Sequence, residues 1–181
     1  QAIGDTLGAG GIFRSLRSIP VLLGTCADME RLCPDALLLN YTNPMAMHCL
    51  AVFRATKIQC VGLCHGVQGT ARTLRMYVGM MEHGVRDSTI HAHMDRPWGD
   101  PRRNQEWAAW MAMGEDPELR YTCAGINHMA FFLRLASGDR DLYPALRRAA
   151  ERPGLRRLDP VRFELLDRLG YFMTETSHHT A

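Results

Sequence analysis

Apolar residues recur at three- and four-residue steps from Ile12 through Leu16, Ile19, Leu22 and Leu23 to Met29 and Leu32. This spacing predicts a helical stretch, interrupted at Pro20 and stopped before Pro34. Ahead of it, residues 4–12 are rich in glycine and read as a loop. Ala36-Leu37-Leu38-Leu39 is a short continuous apolar run, the pattern of a buried parallel strand. It ends in the polar cluster Asn40-Tyr41-Thr42-Asn43-Pro44. Met45 to Phe53 is again helical in period, Gln59 to Leu63 is a second short strand ending at Cys64-His65-Gly66, and Thr70 to Val78 returns to the helical period. Strands and helices in such short alternation predict βαβ topology around a parallel sheet. Such sheets bind ligands beyond the carboxyl ends of their strands. If the two strands are neighbours, the clusters at 40–44 and 64–65 face one crevice.

The character changes over residues 79–118, which hold three histidines, three tryptophans and a turn cluster around Pro97 and Pro101. His91 and His93 alternate as ligands on a strand do, but read best as an exposed surface pair. Tyr121 to Ile126 and Met129 to Leu135 are expected to pair as strands turning at Asn127-His128. Residues 141–151 and 160–169 are expected helices, the second with Asp159 as cap and Pro160 at its first position.

Composition narrows the function. Of 181 residues, 46% are hydrophobic and 22% charged, the balance of a folded globular domain. Twenty-one basic and 19 acidic side chains leave a net charge of +2. That gives no phosphate-seeking surface, so nucleic acid is not expected. No apolar run approaches the roughly 20 residues that span a bilayer, and no membrane partner is expected. The chain opens with Gln1 and lacks a signal pattern, so an internal piece of a longer, cytoplasmic protein is expected. Six cysteines without a CxxC pair read as reduced thiols rather than disulfides or a structural zinc site.

Several residues can carry chemistry. Cys64 and His65 offer a thiolate and an imidazole at a strand end, a metal-ligating pair or else a buried thiol beside a hydrogen-bonded ring. His128, with Asn127 beside it, is a second ligand candidate or a structural turn residue. Asn127 can orient a substrate hydroxyl or satisfy its own backbone. Asn40 and Asn43 place amides where a ribose or sugar hydroxyl can be read, or simply begin a helix. X-Pro bonds are cis in about 5–6% of cases, and Asn43–Pro44 is a candidate. Gly4, Gly8, Gly10 and Gly11 do not form a GxGxxG fingerprint after a strand.

Four segments then occur in order: Asn40-Tyr41-Thr42-Asn43-Pro44-Met45-Ala46-Met47, Gly62-Leu63-Cys64-His65-Gly66-Val67-Gln68-Gly69-Thr70, Cys123-Ala124-Gly125-Ile126-Asn127-His128-Met129-Ala130-Phe131 and Gly170-Tyr171-Phe172-Met173-Thr174-Glu175. Together they resemble the NAD- and manganese-dependent glycosidases of glycoside hydrolase family 4, within it the melibiase (α-galactosidase) branch. The resemblance implies an α/β fold: residues 1–66 as the C-terminal part of a Rossmann-type NAD-binding domain, and 67–181 as the start of an α/β catalytic and metal-binding domain. It implies Cys64 and His128 as ligands of Mn2+, Asn43 and Asn127 at the substrate, Asn40 at the NAD side, and His65 as candidate acid. His65 stands where phosphosugar-specific members carry an aspartate, which points to a non-phosphorylated sugar.

The implied reaction oxidises the sugar at C3 with NAD+ and removes the acidified C2 proton. It then eliminates the aglycone, adds water and returns the hydride, outside the two-carboxylate scheme. The C2 base is expected beyond Ala181, with Tyr171 a weaker candidate. Without a phosphate loop, the chain alone is expected to bind NAD poorly and to be inactive. A homo-oligomer is expected, and residues 79–118 are left as either a lid or an oligomer contact. The alternatives are an α-glucosidase or an α-glucuronidase/α-galacturonidase of the same family, a hydroxyacid or polyol dehydrogenase, or a non-catalytic metal-binding protein.

Overall fold

The computed structural model describes residues 6, 8–126 and 129–176. The chain divides into two compact units, Gln1–His65 and Gly66–Ala181.

In the first unit α1 (Gly8–Leu32) runs unbroken through Pro20. The interruption expected at Pro20 does not occur, because the ring lies on the exposed side and removes one ladder hydrogen bond without meeting packed neighbours. One stripe of α1 is buried, at Gly11, Ser15 and Cys26, with Leu22 and Met29 beside it. Then follow β1 (Leu37–Asn40), α2 (Met45–Ala55) and β2 (Gln59–Gly62). The strands are parallel neighbours, in register from Leu37 opposite Gln59 to Asn40 opposite Gly62. A small core of Cys26, Cys49, Val52, Ile58 and Cys60 joins the helices to one face of the strand pair. On the other face Leu37, Leu39 and Val61 are exposed, and no described helix covers them. The continuous apolar run thus meets its expected burial on one side only. Gly62 lets α2 approach closely, since a Cβ there would overlap Met45 Sδ and lie 2.8 Å from Cys49 Sγ.

The second unit begins with α3 (Gly66–Glu82), α4 (Asp87–Asp95) and α5 (Pro101–Ala112). A hairpin of β3 (Leu119–Ile126) and β4 (Met129–Ser137) follows, then β5 (Arg140–Asp141), α6 (Tyr143–Ala150), α7 (Pro153–Leu158), α8 (Pro160–Leu169) and β6 (Phe172–Met173). The four strands form an antiparallel sheet in which β4 pairs with β3, β5 and β6. Leu74, Tyr77, Phe132, Leu146, Phe163 and Phe172 are among the buried residues of its core.

Two local expectations change here. His91 and His93 lie on a helix, not a strand, and are not an exposed pair: His93 is buried, its Nδ1 3.1 Å from Glu106 Oε2 and its ring against Trp110. Residues 79–118 contribute Ile90 and Trp110 to the core of the unit. Asp159 precedes α8 but makes no side-chain cap, because its carboxylate serves Arg162 and Tyr77 instead.

Candidate functional site

The parallel pairing of β1 and β2 brings their carboxyl ends to one edge, and the Leu63 N–H donates to the Asn40 carbonyl at 2.9 Å beyond the last strand pair. Residues 41–44 and 63–65 therefore leave the sheet side by side. The two polar clusters, about 20 residues apart in sequence, become neighbours through strand register alone.

Asn40 is buried and its amide is taken up by the loop that follows. Its Oδ1 accepts from the Thr42 N–H at 3.2 Å; its Nδ2 donates to the Thr42 carbonyl at 3.4 Å and to Cys49 Sγ at 3.6 Å. This is an Asx turn, in which the side chain imitates backbone. Asn43 is half-buried, and the Asn43–Pro44 bond is cis. Pro44 is buried and starts α2.

Cys64 is half-buried and His65 exposed. The His65 ring stacks on Tyr41, with centroids 5.9 Å apart and planes 5° from parallel. The only signal of Tyr41 in the sequence is its place inside the polar cluster. His48, buried on the first turns of α2 and bonded to that same cluster, carries no sequence signal of its own.

The thiols differ by position. Burial, and then the neighbouring Cys49 thiol, pushes Cys60 up to about 11. Burial and Glu30 also raise Cys26. Both stay protonated at neutral pH and act as small core residues. Cys64 lies at the strand end, half-buried and outside that core.

His128 and Asn127 lie outside the described residues. Ile126 and Met129 on either side of them pair with each other and are exposed. Gly125 has φ +135°, and a Cβ there would run into the Met129 carbonyl and Ala130. Among the described residues no three His, Cys, Asp or Glu side chains converge as a metal site. The described residues alone therefore do not supply a three-donor site for a divalent ion. A partly exposed thiol at a parallel strand's carboxyl end suits one such donor.

Two models of one family match the chain: family 4 glycosyl hydrolase over residues 1–80, and the family 4 glycosyl hydrolase C-terminal domain over residues 123–181. An α-galactosidase of Bacillus subtilis (strain 168) is 42% identical over 182 residues, covering 100% of this chain and 34% of the relative. The chain thus spans about a third of the length of such relatives. Among solved structures, Bacillus subtilis lplD superposes with a TM-score of 0.68 at 24% identity, over 99% of this chain and 39% of the other. A 6-phospho-α-glucosidase from gut microorganisms, solved in complex with NAD and Mn2+, superposes with a TM-score of 0.58 at 17% identity, over 97% and 36%. These two share the fold.

Proposed function

The chain belongs to the family 4 glycosyl hydrolases, and from that membership we propose that the whole protein hydrolyses α-galactosides with NAD and a divalent metal, manganese by preference. The observation that carries the reading is the shared edge where β1 and β2 deliver Asn43, Cys64 and His65, in a chain that matches an α-galactosidase from end to end. When bound, NAD and the metal supply a reversible hydride acceptor for C3 of the sugar and a Lewis acid for its neighbouring oxygens.

The chain's own residues then divide the remaining tasks. Cys64 and His128 would hold the metal, Cys64 as thiolate, so oxidation of this thiol silences the site. The Asn43 amide reads a ring hydroxyl, and Asn127 a second one. His65 gives a proton to the glycosidic oxygen as its bond to C1 breaks, and the Tyr41 ring restricts the imidazole to one plane for that transfer. Asn40 contributes on the cofactor side by setting the loop. No described helix is long and apolar enough to cross a membrane, and the reading carries with it a cytoplasmic homo-oligomer.

The test uses the reduced whole protein and p-nitrophenyl α-galactoside, with NAD+ and Mn2+ together and with each left out. Cleavage only with both is the expected result, and cleavage without NAD+ overturns the mechanism. The α-glucoside and α-galacturonide run in parallel decide the sugar. A dehydrogenase would accumulate NADH, whereas this cycle returns each hydride and accumulates none.

A further inference from the structure

His48 belongs to none of the roles above, yet it is 1% exposed and hydrogen bonded on both ring nitrogens. Its Nδ1 lies 3.1 Å from the Thr42 carbonyl. A carbonyl can only accept, so Nδ1 carries a proton and donates. On the other side, Nε2 lies 2.6 Å from the Ser18 hydroxyl of α1, which is itself 2.9 Å from the Arg14 carbonyl. The imidazole is therefore a strut between α1 and the loop after β1.

The point it holds is specific. The Thr42 carbonyl belongs to the same peptide group as the Asn43 N–H, so fixing it fixes the entry to the Asn-Pro motif. Asn40 grips Thr42 at both its N–H and its carbonyl. The Asn40 grip is local, two residues along the chain, and rotates with the loop. His48 ties that peptide to a different element, through Ser18 of α1.

We propose that His48 is a positioning residue: clamped by Ser18, it sets the Thr42–Asn43 peptide and with it Asn43 and Tyr41. The effect on catalysis rests on the function proposed above; the effect on the loop does not. The two are separated by reading both.

Three substitutions in the whole protein test it. His48→Ala removes the strut. His48→Asn keeps an N–H close to the Nδ1 position, whereas His48→Gln reaches instead toward Ser18. Amide hydrogen exchange of residues 41–43 should rise tenfold or more in H48A, return toward wild type in H48N and stay high in H48Q. With α-galactoside, NAD+ and Mn2+, KM should rise about tenfold in H48A and recover in H48N, an effect that a uniform loss of stability would not sort by nitrogen position. If H48A exchanges residues 41–43 at the wild-type rate, or if H48Q rescues where H48N does not, the proposal is overturned. Should the wild type cleave no α-glycoside, the functional reading fails by itself, and the exchange pattern still decides the role of His48.

Discussion

In the proposed mechanism Cys64 and His65 are adjacent residues with opposite demands, one as an anion and the other as a proton donor. Serine at 64 would keep the size but offer a hydroxyl that does not ionise near neutral pH. Cys64→Ser should cut activity by at least about a hundredfold without rescue by added Mn2+, and His128→Ala should do the same. Cys64→Ser should change the thermal midpoint by no more than about 1 °C, because Cys64 is not part of either core. Activity titrated against Mn2+ checks this, and full activity in either variant removes that residue from the ligand set. Tyr41 makes a subtler case. Tyr41→Phe keeps the ring on His65 and should stay near wild type, while Tyr41→Ala should lower kcat more than it changes KM. That Asn43, Cys64 and His65 leave one sheet edge together could be read from the sequence, because polar residues that end apolar runs mark the carboxyl ends of parallel strands. Tyr41 and His48 could not: their partners are His65 and Ser18, which become neighbours only once strands and helices have packed.

Elements were legible where a period repeated, and misjudged where a single residue was given too much weight. The helical spacing from Ile12 to Leu32 outlasts Pro20, because a proline on an exposed face costs one hydrogen bond while the buried stripe continues past it. His91 and His93 suggested a strand by alternation, but two residues are too few to set a period, and the surrounding segment packs as a helix. The six-residue α7 gave no signal, being shorter than two turns. The glycines carry a firmer test. Gly125 sits at φ +135° just before the hairpin turn, a conformation that side chains rarely adopt, and its missing Cβ faces backbone rather than a flexible chain end. Gly125→Ala should destabilise the second unit by about 1–3 kcal/mol, lowering the thermal midpoint by roughly 2–10 °C. It should also reduce activity through residues 127–128. An unchanged midpoint would mean that the hairpin relaxes freely at this point.

At the scale of the molecule, the second unit is closed by polar ties between elements far apart in sequence, a feature that no local pattern announces. Tyr77 of α3 donates to Asp159 at 3.0 Å, Arg162 of α8 reaches the Thr70 hydroxyl at 3.1 Å, and Thr70 donates to the Thr174 carbonyl at 2.7 Å. Asp116 is the tie most open to measurement. Its Oδ2 accepts from Arg75 Nε of α3 at 2.9 Å and from the Ser137 hydroxyl at the end of β4 at 2.6 Å, while Oδ1 accepts from the Glu118 N–H at 2.9 Å. Burial alone would raise this carboxyl, but the Ser137 hydroxyl, the Arg75 guanidinium and the Glu118 N–H outweigh it and hold it below the usual aspartate value. A carboxyl with a depressed folded value contributes stability that is present above the unfolded value, about 3.9. That contribution is lost as pH falls through the folded value below it. Glu82, held low by Arg140 and Arg75 against the opposing effect of burial, acts in the same direction on the same helix. Urea unfolding of the chain should therefore show stability level from pH 7 to about 5 and falling below about 4. Asp116→Asn should cost about 1–3 kcal/mol at pH 7, from the loss of charge-assisted hydrogen bonds, and should flatten the acid limb. If D116N keeps the wild-type acid limb, that limb belongs to other carboxylates, and Asp116 serves as a neutral hydrogen-bond acceptor between α3 and the sheet.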